Sequence, residues 1–105
     1  MIKDSLNIIK VGGAIVENEE SLQGLLMSFS SLRGRKILVH GGGKIATEVA
    51  AKLGVETQMI DGRRITSAEM LKVVTMVYGG LVNKNLVARL QALGVNAIGL
   101  TGADL

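Results

Sequence analysis

The sequence predicts an α/β fold, a mainly parallel sheet with helices on both faces. Three observations carry that expectation. Apolar runs of strand length alternate with helix-length segments in the order βαβαβ(β)ααβ. Two of the runs, residues 7–11 and 36–40, lead into glycine clusters, Gly12-Gly13 and Gly41-Gly42-Gly43. Hydrophobic residues make up 48% of the 105, enough for one small core. Aromatics are only 2%, so aliphatics and methionine must build that core.

Each element has its own signal. Residues 7–11, Asn-Ile-Ile-Lys-Val, read as a short buried strand. Glu17, Glu19 and Glu20 open a helix, where carboxylates suit the positive end of the dipole. Leu22, Leu25, Leu26, Phe29 and Leu32 follow the helical period, and Gly34 offers a left-handed stop. Residues 36–40 form the second strand and complete one right-handed βαβ unit. A second helix starts at Gly43-Lys44, carries Ile45, Val49, Ala50 and Leu53 on one face, and ends at Gly54. Residues 56–60 and 63–65 read as strands joined through the Asp61-Gly62 turn.

Thr66-Ser67-Ala68-Glu69 matches a capping box for a third helix. Met70, Leu71, Val73, Val74, Met76, Val77 and Tyr78 leave that helix little polar face, which places it in a larger core or a subunit contact. Gly79-Gly80 should kink or break it. Residues 81–93 continue as a helix with Val82, Leu86, Leu90 and Leu93 inward, stopped by Gly94. Residues 96–100 read as a last strand entering Thr101-Gly102-Ala103-Asp104. Asn83, Lys84, Asn85, Lys72 and Arg89 are expected to face solvent or a partner helix. Met59, Met70 and Met76 are expected to fill the core.

Composition excludes several function classes. No run reaches the length of a membrane span and no apolar segment opens the chain, so a cytoplasmic protein without a membrane partner is expected. There is no cysteine, hence no disulfide or thiolate metal site. One histidine and unclustered carboxylates argue against a metal held by protein alone. The net charge is +3, but the basic residues are scattered and not interleaved with aromatics. Nucleic acid is therefore not the expected partner, while an anionic substrate suits the surplus charge.

The glycine clusters carry the chemistry. A strand that runs through glycines into a helix presents bare backbone N–H groups to an anion. Two such units predict two adjacent anion sites. Lys10, two residues before Gly12, needs an anion or water at a strand end and suits phosphate oxygens. Arg64 suits bidentate recognition of a carboxylate. His40 reads as a packed strand residue. Gly41-Gly42-Gly43-Lys44-Ile45-Ala46 also fits a dinucleotide fingerprint, with Asp61 at the acidic position about 20 residues on. A Walker A loop is excluded, because Ile45 follows Lys44 and Leu38 stands where the first glycine belongs.

In series, five segments resemble the acetylglutamate kinase branch of the amino acid kinase superfamily. They are Lys10-Val11-Gly12-Gly13, His40-Gly41-Gly42-Gly43, Gly62-Arg63-Arg64-Ile65-Thr66, Val82-Asn83-Lys84 and Gly99-Leu100-Thr101-Gly102-Ala103-Asp104. The resemblance implies a three-layer αβα sandwich and ATP-dependent phosphorylation of the γ-carboxylate of N-acetyl-L-glutamate, a step of arginine synthesis. It implies that Lys10 stabilises the transferring phosphoryl group and that Gly12 and Gly13 bind ATP phosphate. Gly42 and Gly43 would bind the acyl-amino acid, and Arg64 its α-carboxylate. Mg2+ would arrive with ATP. Residues 67–93 would form a homodimer contact.

Members of that branch are more than twice this length. The resemblance therefore reads residues 1–105 as the N-terminal, acyl-amino-acid-binding part, without the C-terminal nucleotide-binding part and inactive alone. Lys10 lies too near the start for the added N-terminal helix of arginine-inhibited hexamers, which implies an arginine-insensitive dimer. Three other readings stand beside it: a superfamily kinase with another small carboxylate acceptor, a Rossmann-type dinucleotide module built on Asp61, and a non-catalytic assembly fragment.

Overall fold

β-branched and aliphatic residues at alternate positions set the first pairing. In the computed structural model, which describes residues 5–105, β1 (Leu6–Val11) lies parallel to β2 (Arg35–His40). Their register pairs Ile8 with Ile37, Lys10 with Val39 and Val11 with His40. Both strands thus end side by side, and both glycine clusters leave from the same edge. Ile9, Val11 and Leu38 pack on the core, while Ile8, Ile37 and Val39 point the other way and stay exposed.

The helix expected from residue 17 begins at Glu19 as α2 (Glu19–Ser31), and a short helix not expected from the sequence, α1 (Gly13–Val16), precedes it. Asn18 divides them. Its backbone is extended and its side-chain oxygen accepts the Ser21 N–H at 2.9 Å, satisfying one orphan donor of α2. Glu19 and Glu20 then occupy the first turn, as their charge favours.

α3 (Gly43–Lys52) and α5 (Asn83–Ala92) end alike. Gly54 N–H bonds Ala51 carbonyl and Val55 N–H bonds Ala50 carbonyl, with φ +74° at Gly54; Gly94 and Val95 repeat the pattern on Gln91 and Leu90, with φ +87°. These paired bonds satisfy the last carbonyls and need a residue that tolerates positive φ.

The hairpin is present as β3 (Gln58–Ile60) and β4 (Arg63–Ile65), antiparallel. Asp61 and Gly62 both have positive φ, the two-residue turn whose twist matches the strands. The capping residue beyond it is Ser67, not Thr66: its hydroxyl accepts the Met70 N–H at 3.1 Å. That places the cap one residue later than the box pattern suggests.

From there the chain runs helically through α4 (Ala68–Val74), a π-helical segment (Thr75–Val82) and α5. At Gly79-Gly80, where a kink or break is expected, the helical path is not broken. The backbone widens instead, with Asn83 N–H reaching Tyr78 carbonyl five residues back. The core sits between this long helical path, α2, and one face of the sheet, with Leu26, Met70, Val73 and Val77 fully enclosed. Each such side chain contributes about 1.5–3 kcal/mol relative to exposure. Arg89 ties α5 to α2, donating to both Glu19 carboxylate oxygens at 2.7 and 3.0 Å and to Gln23 at 2.7 Å.

Three further expectations fail. Met59 and Met76 are 54% and 52% exposed, so only Met70 of the three fills the core. Leu53 is also exposed; Ala46 and Ala50 are the buried contacts of α3. Residues 96–100 form no strand. Side chains of the last helix take their carbonyls: Gln91 bonds Ala97, Lys84 bonds Gly99 and Asn83 bonds Leu100. A cavity of about 810 Å3 separates this stretch from β2.

Candidate functional site

Parallel strands place their ligands beyond the carboxyl ends, where loops and helix N-termini meet. Here that edge carries His40, the Gly41-Gly42-Gly43 turn and the start of α3, a ten-residue helix. Gly42 is buried, with φ 157° and ψ 22°. A side chain there would lie 3.0 Å from a Val82 methyl, and one at Gly43 would lie 3.2 Å from the Tyr78 hydroxyl. The π-helical segment therefore sits directly against the turn, and only bare backbone fits between them.

Arg64 reaches the same corner from the hairpin. Its Nη2 donates to Gly43 carbonyl at 2.8 Å and to the Thr47 hydroxyl at 2.9 Å, and its Nη1 lies 3.7 Å from Met70 sulfur. Gly42, Gly43 and Arg64 thus converge, although 21 residues separate Gly43 from Arg64. Asp61 sits exposed at the hairpin tip instead. A cation, not an acid, flanks the glycine turn, so the dinucleotide reading fails on its own key residue.

The first cluster lies one strand away. Lys10 is exposed near the end of β1, opposite Val39, and its side chain has no hydrogen bond or ion pair among the described residues. Gly12 caps α1 and accepts two N–H groups through its carbonyl. α1 has only four residues, so its dipole adds little, and any anion here depends on Lys10 and local N–H groups. Glu17 and Lys44 approach to 4.0 Å and connect the two clusters.

The cavity of about 810 Å3 is not this corner. It runs alongside β2, shares His40, Tyr78 and Asn83 with the corner, and is otherwise lined mainly by aliphatic side chains and residues 95–102. Such walls suit packing of chain rather than an anion. Among the described residues no group of His, Asp or Glu is placed to hold a metal ion, and no helix is long and apolar enough to cross a membrane.

The amino acid kinase family model matches residues 5–105. The chain belongs to the amino acid kinase family. A relative from Phocaeicola vulgatus named acetylglutamate kinase is 68% identical over 104 residues, 99% of this chain and 40% of that protein. Another acetylglutamate kinase, from Parabacteroides distasonis, is 68% identical over 102 residues, 97% of this chain and 40% of the relative. The crystal structure of smu.665 from Streptococcus mutans UA159 superposes with a TM-score of 0.76 at 27% identity, covering 95% of this chain and 41% of that one. The chain spans about 40% of the length of the curated relatives it matches.

In this amino acid kinase family member, Asn83 and Lys84, which the sequence places toward solvent or a partner helix, instead carry contacts beside the corner. Asn83 is 5% exposed, not solvent-facing. Its amide lies 3.1 Å from His40 Nε2 and 3.1 Å from Leu100 carbonyl, and Lys84 donates to Asn83 Oδ1 and Gly99 carbonyl. The available signal was an amide standing at a helical spacing that otherwise points inward, Val82, Leu86 and Leu90 being its buried neighbours.

Proposed function

We propose that this chain is the acyl-amino-acid-binding part of an acetylglutamate kinase, acting within a longer protein. A γ-carboxylate oxygen of N-acetyl-L-glutamate attacks the γ-phosphorus of ATP. The bond from that phosphorus to the β–γ bridging oxygen breaks, and ADP leaves with its electron pair. The product is an acyl phosphate. Mg2+ enters with ATP as part of that substrate.

The observation that carries the reading is the corner formed by Arg64 and the Gly42-Gly43 turn. It supports a site for a carboxylate beside backbone N–H donors, with a lysine one strand away whose side chain is unpaired among the described residues. Arg64 would hold the α-carboxylate, and Gly42 and Gly43 would orient the acyl-amino acid. Gly12 and Gly13 would take ATP phosphate oxygens. Lys10 would offset charge on the transferring phosphoryl group. Phosphoryl transfer needs chiefly in-line positioning and charge stabilisation, which these groups can supply.

The same reading assigns partners to bare surface. Leu71, Met76 and Leu81 are 55%, 52% and 56% exposed along the helical path, which favours a homodimer contact within 67–93. Ile8, Ile37 and Val39 would be covered by the remainder of the longer protein. The cytoplasm, where ATP and amino acid precursors meet, is the expected location.

Trapping acyl phosphate with hydroxylamine tests the proposal. The full-length protein is given ATP, Mg2+ and, in parallel, N-acetylglutamate, N-succinylglutamate or free glutamate. Hydroxamate with N-acetylglutamate supports the reading. Signal only with another acceptor moves the chain to a sister activity, and no signal from folded protein refutes a glutamate kinase.

A further inference from the structure

The Gly41–Gly42 peptide is held by a relay of side chains whose proton positions can be deduced. Lys84 Nζ carries only donors, and it lies 3.0 Å from one polar atom of the Asn83 amide, which must therefore be the oxygen. Leu100 carbonyl is only an acceptor, and it lies 3.1 Å from the other atom, which must be the nitrogen. Two independent partners thus fix the same amide orientation. That nitrogen then faces His40 Nε2 at 3.1 Å, so Nε2 must accept. On the far side of the ring, Nδ1 lies 2.9 Å from Gly41 carbonyl, so Nδ1 must donate. Both contacts are satisfied by one species, the neutral imidazole protonated at Nδ1.

A trans peptide points its carbonyl and its N–H in opposite directions. The Gly41 carbonyl and the Gly42 N–H belong to one peptide unit. Pinning the first to His40 therefore aims the second away from the imidazole. We infer that Asn83 is a positioning residue: it selects the Nδ1–H tautomer of His40, which clamps Gly41 carbonyl and orients the Gly42 N–H for the acyl-amino acid. Space at the far end of the relay is equally restricted. A side chain at Gly99 would collide with Asn83, so residue 99 can approach this closely only as glycine. The consequence for binding rests on the acyl-glutamate reading, whereas the tautomer does not.

The test uses the full-length protein labelled with nitrogen-15, the His40 ring being assigned by its loss in His40→Phe. The expected spectrum shows a protonated Nδ1 and a bare Nε2. A ring protonated at Nε2, or at both nitrogens near neutral pH, overturns the relay whatever the substrate is. Asn83→Asp replaces the donor with an acceptor and should place a proton on Nε2. Its KM for the acyl-amino acid should rise about tenfold, the scale of one lost hydrogen bond, with a smaller change in kcat. His40→Phe should raise KM similarly with Asn83 intact, and it decides the matter if Asn83→Asp does not fold. An unchanged KM in a folded variant overturns the positioning role. If the wild-type protein phosphorylates no acyl-glutamate, the proposed function fails and the tautomer still tests the relay.

Discussion

Arg64 Nη2 donates to the Gly43 carbonyl at 2.8 Å, joining the hairpin arginine and the glycine turn into one unit. Arg64→Lys keeps the charge but loses the planar fork that also reaches Thr47 and Met70. The full-length variant should show a KM for acyl-glutamate raised about a hundredfold, the scale of lost hydrogen bonds to a charged group. Steady-state kinetics read this directly; an unchanged KM removes Arg64 from the substrate site.

The glycines separate structural from ligand-facing roles. Gly42→Ala sets a methyl 3.0 Å from Val82 at a φ that side chains avoid, and should destabilise the fold by about 1–3 kcal/mol. Gly12→Ala meets open space at φ −77°, so its melting temperature should hold while KM for ATP rises. A calorimetric scan and a nucleotide titration together distinguish the two.

Among the described residues the Lys10 side chain has no hydrogen bond or ion pair. Lys10→Met should change stability by less than about 0.5 kcal/mol, as exposed substitutions do. Its kcat should fall about a hundredfold or more if the ammonium meets the transferring phosphoryl group. Activity retained in full would leave Lys10 an ordinary surface charge.

The exposed helical face makes a hydrodynamic prediction. Met76→Glu places a charge in the proposed contact, and sedimentation should shift the full-length protein from dimer to monomer. A monomeric wild type refutes the contact at once.

Acid should loosen the link between α2 and α5. The hydrogen bond from Arg89, with its charge, holds the Glu19 carboxyl below its ordinary value of 4.5 despite an opposing effect of burial. A depressed folded value means the contribution is complete above the unfolded value and disappears as pH falls through the folded one. The urea midpoint should therefore be steadier above pH 4.5 than below it, and Arg89→Ala should flatten that part of the acid limb. An identical acid limb in the variant shows that the exposed pair adds nothing.

Much of the fold was legible because its signals are local. The strand runs around Ile8 and Leu38, the Asp61-Gly62 turn and the stops at Gly54 and Gly94 follow from propensity and backbone freedom. The division at Asn18 was hidden, since the glutamates on either side of it suit one helix as well as two. The continuous path through Gly79-Gly80 was hidden because widening to a π-helix depends on packing, which no local period records.

By itself the sequence determined the α/β class, the two strand–glycine units, the hairpin that bears Arg64 and the motifs shared with the amino acid kinase family. Only the tertiary structure decided that Arg64 closes on Gly43, that Asn83 is buried against His40, and that residues 96–100 give their carbonyls to side chains of the last helix. Those contacts join residues 6 to 43 positions apart in the chain, and the shorter ones compete with strand pairing. Their outcome is set by which donors and acceptors packing brings within 3 Å or so, a distance that sequence spacing does not encode.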